Sequence, residues 1–186
     1  DEIERAAALQ GQRFGPAPAS ANRATIGGLL VNNGTGVRSI LYGMAADCLL
    51  SAKVLLSDGT IRNFQRGDLD RNDALTAKVL KITDVIKDSP KFPKTWRNAS
   101  GLNVPGIYKR NSLLPLLCGS EGSLGIILEA EIELYPRPKK SQLALFFFDD
   151  LVRAMEYVPT LLSTKPSAVE LMDHNIIDAA RKSSRF

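Results

Sequence analysis

The chain has 186 residues, with 24 Lys and Arg against 20 Asp and Glu, a formal net charge of +4, one His and two Cys. That length predicts one medium domain or two small pieces, and 44% hydrophobic residues suffice for a buried core. No run of about 18 apolar residues spans a membrane, the basic clusters at 137–140 and 181–185 lack the interleaved aromatics of a nucleic-acid face, and one His with two scattered Cys sets up no metal site.

Residues 2–10 read as the end of a helix. They start without Met and without a basic-then-apolar leader, so the expectation is a trimmed start with no signal peptide. Residues 14–20 (FGPAPAS) are loop. Residues 24–36 (ATIGGLLVNNGTG) are small and glycine-rich, which suits tight turns better than a regular element. Residues 50–56 alternate: Leu50, Ala52, Val54 and Leu56 on one face, Ser51, Lys53 and Leu55 on the other. Asp58-Gly59 then signals a hairpin with a return strand over TIRNF. Cys48 and Cys118 lie in apolar stretches and read as buried free thiols of a reducing, cytoplasmic compartment.

Asp73 caps a predicted helix to about Lys87, with Leu75, Val79, Ile82 and Ile86 as its apolar stripe and Pro90 and Pro93 after it. Residues 91–113 read as a long loop. The clearest strand covers 126–135. Leu128, Ala130, Ile132 and Leu134 face the core, and Glu129, Glu131, Glu133 and Tyr135 face water. Pro136 and Pro138 close it. Beyond come a strand at 142–148, a helix capped by Asp149 or Asp150 with Leu151, Met155, Val158 and Leu162 inward and Pro159 kinking it, a short strand at 167–172, and a helix from His174. This second series opens a separate small α+β unit near Arg137.

Most candidate motifs reduce to plain structure. Gly34-Thr35-Gly36 fails as a dinucleotide fingerprint, because Ser39 holds the third glycine position and no strand precedes it. No GxxxxGK[ST] loop occurs. The lone His174 at a helix start reads as surface or cap, and no Ser/His/Asp set forms around it. Two glycine-rich segments stand out instead: ATIGGLLVNNGTGVRSILYG (24–43), followed by Asp47, and GSEGSLGII (119–127). Each is either a set of tight turns or an amide-lined cradle for phosphate.

In combination and order, these pieces resemble the FAD-linked oxidases with the vanillyl-alcohol oxidase (PCMH-type) FAD-binding fold, in the glycolate oxidase and D-lactate dehydrogenase branch. The matching pieces are FGPAPAS, ATIGGLLVNN-GTG, SILYG with Asp47, KVLLSDGT and LLCGSEGSLGIILEAEIELYPRP. FFFDDLVRAMEYVPTLLSTKPSAVELMD resembles the start of that family's substrate, or cap, domain. The resemblance implies an α+β fold. Residues 1–137 would be the later part of an FAD-binding domain, mainly antiparallel sheet with flanking helices, and 138–186 the start of an α+β cap domain.

It further implies FAD contacts. Thr25, Ile26, Gly27, Gly28, Asn32, Asn33, Gly34 and Thr35 would serve the pyrophosphate and isoalloxazine side. Glu121, Gly122, Leu124, Gly125 and Ile126 would lie along the adenosine, with Tyr42, Gly43 and Asp47 shaping the same cleft. The implied reaction is oxidation of a small 2-hydroxy acid, D-lactate or glycolate, by hydride transfer to flavin, with electrons passed to an acceptor and an iron–sulfur domain or subunit in the parent protein. No catalytic base is named. The family's PGGGT-type loop is absent, Ala17 stands where Asp is common, and the cap domain stops early, so a fragment of a longer protein is expected. The alternatives are a non-catalytic scaffold, or a flavoenzyme of this fold acting on another alcohol, an aldehyde or a sugar.

Overall fold

A computed structural model describes residues 1–89, 91–92, 95 and 97–183. The chain opens with helix α1 (Glu2–Ala8) and a short strand β1 (Gln12–Phe14). Three short helices follow: α2 (Ile26–Val31), α3 (Ser39–Tyr42) and α4 (Ala45–Cys48). They lead into the hairpin β2 (Leu49–Leu55) and β3 (Ile61–Gln65). The turn forms where Asp58-Gly59 predicts it. Gly59 takes φ +81°, which glycine adopts without strain, and the Asp58 carboxylate accepts the Thr60 amide and hydroxyl at 2.9 and 2.7 Å.

Helix α5 (Ala74–Ile86), α6 (Val104–Arg110) and α7 (Leu114–Leu117) then precede β4 (Ile126–Ile132) and β5 (Leu134–Pro136). β4 pairs antiparallel with β2, Ala52 opposite Ala130, so the sheet order is β3-β2-β4. β5 pairs with β1, Arg13 opposite Tyr135. Helices α8 (Leu151–Ser163) and α9 (His174–Lys182) end the chain, capped by Asp150 and Asp173. The fold is α+β with antiparallel ladders, as expected.

The core sits against one face of β2. Leu49, Ala52 and Val54 pack with Leu30 of α2, Ala45 of α4, Leu114 and Leu117 of α7, and Cys118. Leu80 of α5 joins Val104, Ile107, Leu113 and Leu116 in a second cluster, and Phe64 packs against both. Each fully buried Leu or Ile here stabilises by about 1.5–3 kcal/mol. Both thiols are free and buried, as their apolar settings predict. Burial pushes Cys48 up to about 11 and Cys118 to about 12.

Several expectations are corrected. Residues 26–31 are helix, not turns: Thr25 caps them, its hydroxyl accepting the Gly28 amide at 3.2 Å, and the cap outweighs two glycines. The 91–113 stretch contains α6, started by Asn103 accepting from Gly106 and by a proline in the first turn. On α5 the inward positions are Thr76, Leu80 and Thr83, while Ile82 and Ile86 are exposed. The Thr83 hydroxyl bonds the Tyr108 hydroxyl at 2.9 Å, so docking on α6 sets the rotation of α5.

The 126–135 strand breaks after Ile132, where the chain passes from one sheet to the other. Its expected core face is largely open, with Leu128 46% exposed. Residues 142–148 and 167–172 form no ladder, since a strand needs a partner and the described residues supply none. Along α8 only Ala154 is buried, with Leu151, Met155 and Leu162 exposed. Pro159 sits inside that helix, which continues to Ser163. Pro90, Pro93 and Arg185 of the second basic cluster lie outside the described residues.

Candidate functional site

The two glycine-rich segments meet at the end of α2. The Val31 carbonyl accepts the amides of Gly119 at 2.7 Å and Glu121 at 3.1 Å. The Asn32 side-chain amide donates to the Glu121 carboxylate at 2.8 Å. Glycine is required at 119, where φ is +100°, while Glu121 accepts a left-handed conformation at φ +52° to keep both bonds. Segments that are distant in sequence therefore present one continuous surface.

The individual positions divide into open and buried. At the start of α2, Ile26 and Gly27 carry amides that the helix itself leaves unused. A Cβ on Gly27 would meet nothing within 4 Å, and on Gly28 only the Thr25 hydroxyl, at 3.0 Å. Gly122 is equally open, with φ +80°, beside exposed Glu121 and Leu124 and an Ile126 that is 62% exposed. The helix rise separates the α2 start from the Asn32–Glu121 contact by about 9 Å. The surface therefore offers free amides at the start of α2 and, further along an elongated path, an open glycine position at 122, whose own amide donates to Ser120 Oγ at 3.3 Å. That suits a two-phosphate ligand with an attached nucleoside.

Asn33, Gly34, Gly125 and Asp47 serve the protein itself. Asn33 is buried in the left-handed region at φ +51°, and its side-chain oxygen accepts the Ala46 amide at 3.0 Å. Gly34 donates to Leu29 at 2.8 Å and accepts from Ala45 at 2.9 Å. Thr35 is half-buried. A Cβ on Gly125 would lie 2.7 Å from Val54 Cγ1 and 2.8 Å from the Leu55 carbonyl oxygen. Gly43, at φ +80°, lets the chain turn over the Asp47 carboxylate. That carboxylate accepts the Met44 amide at 2.8 Å and pairs with Arg110 Nη2.

Arg66 and Arg110 carry this corner, and neither follows from the sequence pattern. Arg66 donates to the Asp47 carbonyl at 2.6 Å and to the Leu49 carbonyl through Nη2 and Nε at 2.8 and 3.2 Å. It also reaches Glu133 at 3.5 Å. Glu133 is thus part of a half-buried network and not freely solvated as expected. It accepts from the Tyr135 hydroxyl at 3.3 Å. Tyr42 packs on Tyr135 with ring centroids 4.7 Å apart. Burial, and then the nearby Cys48, push the Tyr135 phenol well above its ordinary range.

A cleft of about 400 Å³ lies elsewhere, over the polar face of the β3-β2-β4 sheet. Lys53 pairs there with Glu129 at 2.9 Å, and Ser51 donates to Glu131 at 3.2 Å. These are exposed cross-strand pairs of the kind that stabilise a sheet modestly, and the glycine-rich segments take no part in the cleft. His174 begins α9 and Asp173 caps it. No helix among the described residues is long and apolar enough to cross a membrane.

Comparison with known proteins matches this layout at both ends. Residues 1–65 match the FAD binding domain family, and residues 137–186 match the FAD linked oxidases, C-terminal domain. The chain is 27% identical over 197 residues to D-2-hydroxyglutarate dehydrogenase of Pseudomonas putida, covering 98% of this chain and 20% of that protein. It is 29% identical to D-lactate dehydrogenase of Archaeoglobus fulgidus, covering 98% and 33%. It is 27% identical to a glycolate oxidase subunit of Bacillus subtilis, covering 92% and 29%. The chain thus spans a fifth to a third of the length of these relatives. An FAD-binding segment is thus followed in order by an oxidase C-terminal segment, and both matches are to FAD-linked oxidase families.

Proposed function

We propose that this chain supplies part of the FAD cradle and the beginning of the substrate domain of a flavoenzyme that oxidises a small 2-hydroxy acid. The observation that carries the cofactor part is the double use of the Val31 carbonyl, which fuses two glycine-rich segments into one surface. Residues 1–137 form the cofactor portion in this reading, and 138–186 the first elements of the cap domain. The amides of Ile26 and Gly27 and the open backbone at Gly122 take the phosphates and adenosine side. Thr25 holds the α2 turn in place, and Asn32 and Glu121 fix the distance between the two contact points.

Buried Asn33 and Gly34 and half-buried Asp47 act one step back, by holding Met44, Ala45 and Ala46 so that the cradle keeps its shape. Bound flavin supplies the two-electron chemistry by accepting a hydride from the substrate's carbinol carbon. The 2-hydroxy acid class rests on the relatives, whose names specify D-2-hydroxyglutarate, D-lactate and glycolate.

The test is direct. The gene product that carries this chain, purified with FAD, is offered glycolate, D-lactate and D-2-hydroxyglutarate with an artificial electron acceptor. Acceptor reduction by at least one of them is expected. A protein with no FAD affinity overturns the cofactor reading. An FAD-bound protein that oxidises only an aldehyde or a sugar overturns the substrate reading.

A further inference from the structure

Helix α6 ends on Asn111, which takes the left-handed region at φ +48°, and the chain leaves β3 through Gly67 at φ +79°. These two turns are bonded to each other. The Gly67 amide donates to the Arg110 carbonyl at 3.2 Å, the Asn111 side-chain amide to the Gly67 carbonyl at 3.0 Å, and the Ser112 hydroxyl to the Gln65 carbonyl at 2.7 Å. Residues 65–67 and 110–112 therefore form one joint, and Arg66 and Arg110 leave it together. Both reach the same residue. Arg66 Nη2 donates to the main-chain carbonyl of Asp47 at 2.6 Å, and Arg110 Nη2 pairs with its carboxylate.

The Asp47 carboxylate is used at both oxygens. Oδ1 meets Arg110, and Oδ2 accepts the Met44 amide at 2.8 Å. The next two amides, of Ala45 and Ala46, donate to the Gly34 carbonyl at 2.9 Å and to the Asn33 side-chain oxygen at 3.0 Å. Helix α4 is four residues long, too short to hold itself, so its place is set by what it is bonded to. On one side that is the arginine joint. On the other it is the Asn33-Gly34 turn, which continues directly from Asn32 and its contact with Glu121.

We propose that Arg110 is a positioning residue of the cofactor site: through the Asp47 carboxylate it fixes α4, and through α4 the Asn33-Gly34 turn at the end of the cradle. The inference rests on the cofactor reading above. Arg66 shares the task, but it also holds the Leu49 carbonyl and Glu133, so its removal loosens the sheet as well. Among the described residues the Arg110 side chain bonds to Asp47 alone. That pair is 26% and 39% exposed, so its share of fold stability is modest.

The gene product that carries this chain is compared with Arg110→Gln, Arg110→Lys, Asp47→Asn and the double variant of Arg110→Gln with Asp47→Asn. FAD affinity is titrated by flavin fluorescence, and the urea midpoint is measured on each apoprotein. Arg110→Gln is expected to weaken FAD binding about tenfold or more with the midpoint nearly unchanged. Arg110→Lys should recover most of that loss, because an ammonium still reaches the carboxylate as a point charge. Asp47→Asn separates position from charge and decides the matter even where Arg110→Gln fails to fold. It removes a negative charge from a protein that binds a dianionic diphosphate, so charge alone would tighten binding, whereas loss of position weakens it. The double variant should bind FAD no more weakly than the weaker single variant, since both act through one contact. Equal FAD affinity in the parent and Arg110→Gln, or tighter binding by Asp47→Asn, overturns the inference and leaves the cofactor reading standing. Losses that follow the urea midpoint down and that lysine does not recover assign Arg110 to the fold alone, and overturn it too. A parent protein that binds no FAD overturns the cofactor reading itself, and the role of Arg110 with it.

Discussion

Asn32 donates its side-chain amide to the Glu121 carboxylate at 2.8 Å, joining positions 89 apart in the sequence. The pair is exposed, so its share of fold stability is small, below about 1 kcal/mol. Its consequence is positional, since it closes the contact between the two glycine-rich segments beside the Val31 carbonyl. Asn32→Asp turns an attraction into a repulsion between carboxylates. The urea midpoint is expected to fall slightly, while FAD affinity, followed by flavin fluorescence, falls by about tenfold or more. Equal FAD affinity in the variant would count against the cradle.

Gly27 separates cofactor binding from folding more sharply. Its Cβ position is open and it lies inside a helix. Gly27→Ala should therefore raise apoprotein stability by about 0.5–1 kcal/mol through helix propensity. If the open space receives FAD, Gly27→Val lowers FAD affinity in a protein that remains folded. Denaturation and ligand titration on the same samples would show the two quantities moving independently.

Two glycines of GSEGSLGII should fail for different reasons. Gly122 has open space but a left-handed backbone, so Gly122→Ala costs about 1–2 kcal/mol of backbone strain. Gly125 has an ordinary backbone but faces Val54 and the Leu55 carbonyl oxygen at 2.7 and 2.8 Å. Gly125→Val forces β4 off β2 and is expected to cost about 3 kcal/mol or more. Asn replaces Gly122 at lower cost than Ala because it tolerates left-handed geometry, and it should not rescue position 125. Urea midpoints of the four variants check this ordering.

The buried thiols predict a pH dependence. A free thiol ionises near about 9, and burial raises Cys48 to about 11 and Cys118 to about 12. Below pH 9 both states hold the protons, and the stabilisation is intact. From about 9 to about 11 the unfolded chain loses protons that the folded chain retains, so stability falls as pH rises, by up to about 1.4 kcal/mol per unit per thiol. Cys118→Ala should flatten that decline. In native buffer, both thiols should react with a disulfide reagent far more slowly than in urea.

Much of the architecture is legible in local signals. Asp58-Gly59 places the hairpin, and Asp73 and Asp150 place helix starts, because a cap or a turn residue acts on neighbours within three positions. The errors lie where the deciding partner is distant. Ile82 and Ile86 look inward by period, yet Tyr108 fixes the rotation of α5. Residues 142–148 look like a strand, and only the ladder is missing. Asp47 is visible as part of a family pattern, but its partners Arg66 and Arg110 come from β3's end and α6, and no spacing announces them. The glycines at 27 and 28 suggest turns because propensity is a weak prior that a single Thr25 cap overrides.

The order of the β3-β2-β4 sheet governs how the chain acquires its fold. β2 meets β3 across a tight turn, whereas Ser51 and Glu131, hydrogen-bonded across β2 and β4, are 80 positions apart. The hairpin therefore can form within microseconds, and the β4 pairing must wait for a long loop to close over α5, α6 and α7. That places β4 late on the path, with little weight in the transition state. Ala130→Gly, which weakens β4 alone, should then speed unfolding and leave the folding rate nearly unchanged in a stopped-flow chevron. An equal slowing of folding would place β4 in the nucleus. Late docking also means that the contact between Val31 and residues 119–121 is among the last features to form, after the hairpin and the helical cluster around Ile107 have already committed the chain.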